Sequence, residues 1–310
     1  MLVFTFTLSL LVGRYSSFFH ELLSDALGAS IILNVRLPRI LTAAMLGMAL
    51  SVSGAALQSA FRNPLVGPGI LGVSQGAAFG AAFAILFLPN DPVVIESLSM
   101  AFGLLALLVA YAISSAIRYG GRILRLVLAG LAVSAMFSGG VGFMKCLADP
   151  LKQLPELTFW LLGGLSGVTW RDFSYMFPPA FAGVTLLLIA RWRVNLLTLD
   201  DDTVISLGAD PGKLRAFVVV SAVVATAAVT SVAGVIGWIG LTVPHMARKI
   251  FGAESGRVIP ASALLGATLM VIFDDIARTV SAGEMPLGVV TSLLGATLFL
   301  LMLSRGGISE

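Results

Sequence analysis

The sequence predicts an all-α, polytopic membrane protein of about ten transmembrane helices with an inverted internal repeat. Hydrophobic residues make up 58% of the 310 residues and charged residues only 11%, whereas a soluble domain carries about 25% charged residues. Long apolar runs recur along the chain between short polar or Pro/Gly-rich segments, and about 20 apolar residues are needed to cross a bilayer. Residues 1–310 are therefore interpreted as one transmembrane domain.

The first apolar run is short for a span. Either it continues to Phe18 and Phe19, or the chain begins downstream of the usual place. It has no basic n-region and no clear cleavage site, so no cleavable signal is expected. Residues 14–34 are polar enough for an interfacial or short external helix, with Pro38 near the start of the next helix. Clearer spans are expected at residues 40–58, 93–117, 216–237, 258–276 and 286–303.

Two segments are predicted to be breaks at membrane depth. The first covers residues 62–72 (RNPLVGPGILG) and the second residues 237–252 (GWIGLTVPHMARKIFG). Irregular backbone at that depth must be buried in protein or line a cavity. A shift of 180 residues aligns the two breaks, and an offset of five spans would invert the second copy, as in many transporters. The aligned pairs are Gly54/Gly234, Pro64/Pro244, Gly72/Gly252 and Gly76/Gly256.

The segment from Arg191 to Arg215 is the main polar segment of the chain. It carries four basic and four acidic residues, and each charge would cost about 2.5–3.5 kcal/mol in hydrocarbon on insertion scales. We therefore expect it to lie in water, as a docking surface. If both termini are cytoplasmic, twelve of the 19 Lys and Arg residues lie inside and seven outside. This bias places residues 191–215 in the cytoplasm.

The sequence argues against several kinds of chemistry. No phosphate-binding loop of the form GxxxxGK[ST] is present, so ATP hydrolysis by that route is not expected. The two histidines, His20 and His245, cannot build a metal cluster, and the single cysteine, Cys146, excludes an intrachain disulfide. We expect no catalytic residue, no metal, no cofactor and no nucleic-acid partner.

Three arginines fall at the external ends of spans. Arg36 and Arg39 lie three residues apart on nearly one helix face, and they suit either lipid headgroups or paired recognition of carboxylates. Arg278 follows Asp274 and Asp275. These acids permit three interpretations: local charge compensation at i,i+4, an arginine facing an acidic partner, or a proton relay.

Four segments in order carry a family resemblance. RLPRILTAAMLGMALSVSGAALQSAFRNPLVGPGILGVSQGA resembles the opening signature of the iron-chelate, haem and vitamin B12 permeases, the membrane subunits of type II ABC importers. WLLGGLSGVTWRDF, GVIGWIGLTVPHMARKIFG and GEMPLGVVTSLLGATLFL resemble further signatures of that family. The resemblance covers about residues 36 to 303.

The resemblance implies a ten-helix permease subunit that acts as a homodimer in a bacterial or archaeal cytoplasmic membrane. Two cytoplasmic ATP-binding subunits would drive it, and a periplasmic or lipid-anchored binding protein would deliver the substrate. A ferric siderophore is the first candidate for that substrate, haem the second and cobalamin the third. Molybdate or tungstate is a further option, since some members of the family carry oxyanions.

The resemblance also assigns roles to individual residues. Arg36, Arg39 and Arg278 would dock the binding protein, and Ile123 and Leu124 would form a cytoplasmic gate, although related gates can be polar. The coupling helices would lie at about residues 197–212, with Gly208 ending the first and Asp210-Pro211 starting the next. The residues expected to meet the ATPase are Leu197, Asp200, Asp201, Asp202, Leu207, Gly208, Ala209, Asp210 and Pro211.

Two other classes of function are compatible with the sequence. An ion-coupled secondary transporter would also use inverted repeats, but it needs a carboxylate or an unwound ion site near the midplane. The acids of this chain lie near span ends instead. A non-transporting structural or sensor protein is the third option.

Overall fold

The structure, a computed structural model, describes residues 2–11, 26–280 and 283–304. Within these ranges the chain forms helices and no strand. The expected continuation of the first helix to Phe18 and Phe19 lies outside them, as does His20. Seven helical segments are long and apolar enough to cross a membrane. They are Gly28–Phe61, Pro92–Ala116, Arg122–Leu147, Trp170–Thr198, Pro211–Ala233, Ser255–Thr279 and Leu287–Ser304.

The helices are numbered in chain order over the described residues. They are α1 (Leu2–Leu11), α2 (Ala26–Ile31), α3 (Leu37–Phe61), α4 (Val73–Phe87), α5 (Pro92–Ala116), α6 (Arg122–Leu147), α7 (Gln153–Leu162), α8 (Trp170–Val194), α9 (Asp201–Ser206), α10 (Pro211–Ala233), α11 (Ile239–Phe251), α12 (Ser255–Thr279) and α13 (Leu287–Ser304). Among the shorter helices, α1 and α4 carry no charged residue, whereas α11 carries Arg248 and Lys249 in its last turn.

Helix α3 is the centre of the bundle. Most of its residues are buried, and it packs against α8, α10, α11 and α12. It is continuous with α2 through a π-helical turn at Ile32–Arg36, so the described part of residues 14–34 is not the separate helix that the sequence predicted. Pro38 has no N–H to donate to the preceding turn, and the wider π turn before it keeps the helix unbroken.

The interruption of the helix predicted at residues 62–72 is confirmed. Helix α3 ends at Phe61, and Arg62 adopts a left-handed conformation with φ of 50°. A 3-10 turn follows at Pro68–Leu71, before α4 begins at Val73. The chain here is held by its neighbours, since Val66 and Leu71 are buried.

The second predicted break is largely wrong. Residues 237–252 contain helix α11, and the irregular backbone lies on either side of it. Trp238 precedes the helix with φ of 68°, and Gly252 ends it with φ of 84°. Pro244 lies inside α11. It is the sixth residue of α11 and lacks the N–H that would donate to the carbonyl oxygen of Gly240. Packing against the neighbouring helices sustains α11 at this point.

Glycines let α3 approach its neighbours at backbone contact distance. A Cβ on Gly47 would lie 2.1 Å from the carbonyl oxygen of Gly266 in α12, and a Cβ on Gly54 would lie 1.8 Å from that of Gly240 in α11. Helices in lipid associate through such close packing because no hydrophobic force drives them together. The Gly/Ala/Ser-rich sequence of α3 is therefore what places it at the centre.

Candidate functional site

The 191–215 segment forms a compact surface at one end of the bundle. Helix α8 ends at Val194 and continues as a 3-10 turn, Asn195–Thr198, in which Leu197 is fully buried. The short helix α9 begins at Asp201 after Asp200. Helix α10 then begins at Pro211, with Asp210 as its N-cap.

The predicted turn between the two helices is confirmed. Gly208 has φ of 80°, a conformation that side-chain-bearing residues rarely adopt, and it ends α9. The carboxylate of Asp210 accepts hydrogen bonds from the N–H groups of Gly212 (2.9 Å) and Lys213 (3.1 Å). These N–H groups lower the pKa of the Asp210 carboxyl, with that of Lys213 contributing most.

Asp201 connects α9 to two membrane spans. Its carboxylate accepts a hydrogen bond from Nη2 of Arg215 in α10 at 3.0 Å and another from Nη2 of Arg62, at the end of α3. Nε of Arg62 donates to the carbonyl oxygen of Leu197 (3.0 Å), and Nε of Arg215 donates to that of Ala60 (3.0 Å). The hydrogen bond from Arg215 is the main cause that lowers the pKa of Asp201.

The outer face of this surface is partly apolar. Ile205 and Leu207 are 59% and 61% exposed, whereas Val204, the residue before them, is buried. Asp202 and Asp200 are exposed beside them, and Asp200 also pairs with Arg62 at 3.3 Å. The expectation that the whole segment lies in water is wrong for Arg215, because only 4% of the surface of this residue is exposed.

Two hollows flank the turn at residues 208–210, which includes Ala209. One, of about 600 Å³, is lined by Arg122, Asp201, Ile205 and residues 208–212, including Pro211. The other, of about 790 Å³, lies on the α8 side and is lined in part by Arg193 and Lys213. The turn at residues 208–210 therefore protrudes between two concave surfaces, a shape that a partner protein can bind.

The opposite end of the bundle holds the three predicted docking arginines. Arg39 donates from Nε and Nη2 to the carboxylate of Asp274 at 2.9–3.1 Å, and from Nη1 to Glu284 at 3.0 Å. Asp274 is 1% exposed, and Glu284 is one third exposed. Arg39 therefore reaches from the protein interior to the surface of the subunit.

Arg36 and Arg278 lie deeper in the same cluster and are 5% and 6% exposed. Arg36 donates to the carbonyl oxygen of Leu10 (2.7 Å). Arg278 donates to both the hydroxyl and the carbonyl oxygen of Ser9 (2.7 Å each) and pairs with Asp275. The three arginines thus connect α1, α3 and α12 within this subunit.

The local i,i+4 compensation that the sequence allowed is present but weak. Arg278 approaches Asp274 only at 3.9 Å, and the principal partner of Asp274 is Arg39, 235 residues away in sequence. Sequence spacing detects contacts within one helix, and this pair joins two helices.

The predicted gate residues begin α6. Ile123 is partly buried against the core, and Leu124 is 45% exposed. The rest of α6 also keeps an exposed face, in which Leu128, Leu131 and Met136 are between 43% and 67% exposed. This helix therefore has an apolar surface that no other described part of the subunit covers.

Comparison with known proteins decides the family. The sequence profile of the FecCD transport family matches residues 1–305. This chain belongs to the FecCD transport family. It is 36% identical to the molybdate import system permease protein MolB of Haemophilus influenzae, over 100% of this chain and 96% of that protein. It is 40% identical to the hemin transport system permease protein HmuU of Yersinia pestis, over 88% of this chain and 83% of that protein.

The fold of this FecCD protein is similar to that of a solved metal-chelate type ABC transporter in an inward-facing conformation. The TM-score is 0.92 at 36% identity, over 98% of this chain and 96% of the other. The chain is therefore a multi-pass permease of an ABC importer in the cell membrane.

The structure brings into the two sites of this FecCD permease two residues that the sequence did not predict there. The sequence placed Arg62 only in a helix break and gave Glu284 no role. Both are charged residues next to a Pro- or Gly-containing turn. That position is the feature of the sequence that could have identified them as site residues. His245 packs against Phe299 with ring centroids 5.8 Å apart, and no group of three or more potential metal ligands occurs among the residues described.

Proposed function

We propose that residues 191–215 are the cytoplasmic coupling surface on which a separate ATP-binding subunit docks. The observation that carries this proposal is the double attachment of Asp201, because a force on α9 would pass through Arg62 to α3 and through Arg215 to α10. The exposed side chains of Ile205 and Leu207 would enter an apolar groove of the partner, with the two hollows receiving its flanking residues. Nucleotide-driven movement of the partner would then switch the helix packing.

The subunit would act as one half of a homodimer, with the pathway at the two-fold axis. The exposed apolar face of α6 is open to a second copy or to lipid, and the choice of a second copy follows the family resemblance. Ile123 and Leu124, at the start of this face, would close the cytoplasmic end of the pathway. The Leu124→Cys variant tests the dimer and the position of the gate together. A disulfide between the two subunits can form only if the α6 helices meet at this residue.

Ten crossings in two inverted halves are the finer architecture that we propose. The seven long spans, together with α1, α4 and α11, would make the ten. Gly72 and Gly252, aligned by the 180-residue shift, have φ of 82° and 84°, and each lies shortly before a helix. Determining the side of the membrane reached by cysteines placed in successive loops would test the count.

At the external end, Arg36, Arg39 and Arg278 would receive acidic residues of a substrate-binding protein. Glu284 is the exposed partner of Arg39, and we propose that a carboxylate of the binding protein replaces it. The Glu284→Gln variant should then bind the binding protein more tightly, whereas charge reversal of Arg36 and Arg39 should weaken docking. Unchanged affinity in both variants would reject the docking role.

The substrate is proposed to be a metal chelate or an oxyanion delivered by the binding protein. Relatives named for molybdate and for hemin match this chain at similar identity, so the degree of similarity does not choose between them. The ligand held by the binding protein encoded beside this chain would identify the substrate.

Transport driven by an ion gradient is the competing mechanism. The candidate acids Asp274 and Asp275 are engaged by Arg39 and Arg278 at the end of α12, which leaves them poorly suited to carry an ion across the membrane. The experiment that separates the two mechanisms is uptake into vesicles with and without the ATPase subunit and ATP. Uptake with an ion gradient alone would overturn the ATP-driven proposal.

A further inference from the structure

A cavity between α5, α6 and α10 has no part in the functions proposed above. It lies at the end of the bundle that carries residues 191–215 and has a volume of about 530 Å³, within the roughly 300–1,000 Å³ of small-molecule sites. Its inner wall is apolar and buried, and its outer rim is exposed along α5 and α10. The inner wall includes Leu107, Leu126 and Val219, and the rim includes Leu108, Tyr111 and Val220.

The mouth of this cavity is positively charged. Arg122 and Arg125 line it, and Arg118 lies in the turn between α5 and α6. None of these three arginines makes an ion pair with any residue that the structure describes. Arg215, which also lines the cavity, differs because Asp201 already neutralises it.

At the mouth, Arg125 is held by a hydrogen bond and Arg122 lies beside the backbone of Gly212. Nη1 of Arg125 donates to the carbonyl oxygen of Ile117 at the end of α5 (2.9 Å), and its Nε is buried without a hydrogen-bond partner among the described residues. The guanidinium of Arg122 lies directly over Gly212, so that a methyl group at that residue would collide with it. An apolar cleft thus opens beneath two cations that make no ion pair with a described residue, although the carboxylate of Asp210 is also close to the space over Gly212 that Arg122 occupies.

We propose that this cavity binds an anionic phospholipid, with an acyl chain along α5 and α10 and the phosphate on Arg122 and Arg125. Charge complementarity selects this occupant, because basic residues at cytoplasmic helix ends lie at the headgroup level, where anionic lipids are attracted to them. A zwitterionic lipid offers the same phosphate but also carries a cationic amine, which these arginines would repel. The site therefore prefers phospholipids whose headgroup carries a net negative charge to zwitterionic ones.

The position of Arg122 links this lipid to the coupling surface. Arg122 also lines the hollow that contains Asp201, Ile205 and the turn at residues 208–212. A headgroup phosphate on Arg122 would therefore lie beside the surface proposed to contact the ATPase. Lipid binding itself does not depend on that proposal, since it requires only the cavity and its cations.

Native mass spectrometry of the full-length protein, delipidated in detergent and titrated with single lipids, tests the proposal. Phosphatidylglycerol should bind about tenfold more tightly than phosphatidylcholine of the same chains. The double variant Arg122→Gln/Arg125→Gln should lose about tenfold in phosphatidylglycerol affinity. The matched control, Arg193→Gln/Lys249→Gln, removes two exposed cations outside the cavity and should bind as the unmodified protein does.

A second variant addresses the structural role of Arg125, whose loss could disturb the end of α5. Ala112→Trp fills the cavity from its exposed rim and removes no polar contact, and it should also abolish the preference for phosphatidylglycerol. Three results would overturn the proposal: equal binding of both lipids, competition by inorganic phosphate as strong as that by phosphatidylglycerol, or an Ala112→Trp variant that alters only the oligomeric state. The last result would identify the cavity as an interface between copies of this chain.

Discussion

The carboxylate of Asp201 in α9 lies 3.0 Å from Nη2 of Arg215 in α10, and the same carboxylate accepts a hydrogen bond from Arg62 at the end of α3. A six-residue helix has little stability of its own, so these contacts determine its orientation. They make α9 an extension of two spans, one of which is the central helix of the bundle.

The first prediction concerns the transmission of movement through Asp201. The Asp201→Asn variant should reduce ATP-driven transport several-fold in proteoliposomes containing the complete importer, while ATP hydrolysis continues. The neutral amide loses the charge-assisted hydrogen bonds to both arginines. Asp202→Asn is the matched control because Asp202 is exposed and adjacent. Equal transport by the two variants would contradict the role given to Asp201.

The second prediction concerns pH. Arg215 lowers the pKa of Asp201 in the folded protein, so the carboxylate stabilises the fold at pH values above the ordinary pKa of aspartate. That contribution is lost as pH falls through the lowered pKa. It should be less than about 1 kcal/mol because Asp201 is partly exposed. Thermal unfolding between pH 7 and pH 3 should show a smaller acid-side decrease in Tm for Asp201→Asn than for the unmodified protein.

The third prediction concerns the ion pair between Arg39 and Asp274. Arg39→Gln should lower Tm strongly, because it removes the principal partner of a buried carboxylate, a loss that costs about 3–5 kcal/mol in buried pairs. The double variant Arg39→Gln/Asp274→Asn should be less destabilised than the sum of the two single variants, since it leaves no unpaired charge. Additive losses of Tm would show that the two side chains do not interact.

The fourth prediction concerns the packing of α3. Gly54→Ala places a methyl group against the backbone of Gly240 and should cost about 1–3 kcal/mol or more, as overpacking does. Gly139→Ala in α6 is the control, because a Cβ there meets nothing within 4 Å. Detergent-solubilised Gly54→Ala should unfold at a clearly lower temperature than Gly139→Ala. If the two variants unfold together, α3 and α11 are not in backbone contact.

The sequence predicted the helical membrane fold, the first break and the turns around Gly208 and Asp210, because each depends on local hydrophobicity or on a glycine, proline or aspartate at a fixed place. It did not predict that α11 is helical, since Gly237, Gly240 and Pro244 are breakers whose effect depends on packing by neighbouring helices. It also did not predict the pairing of Arg39 with Asp274 or the burial of Arg215. Those contacts join elements that are separated in the sequence, and the spacing of residues along the chain does not predict them.

The most direct test of the account is a crosslink at Ile205, the exposed apolar residue of α9. The single cysteine of the chain, Cys146, is first replaced by alanine, and Ile205→Cys is introduced. Cysteines are also placed on the surface of the ATPase that faces the membrane, and the complete importer is assembled from the two proteins. The account predicts a crosslink between Ile205→Cys and the ATPase whose yield changes with ATP, and no labelling by an impermeant thiol reagent from outside intact cells. External labelling of that cysteine, without a crosslink to the ATPase, would contradict it.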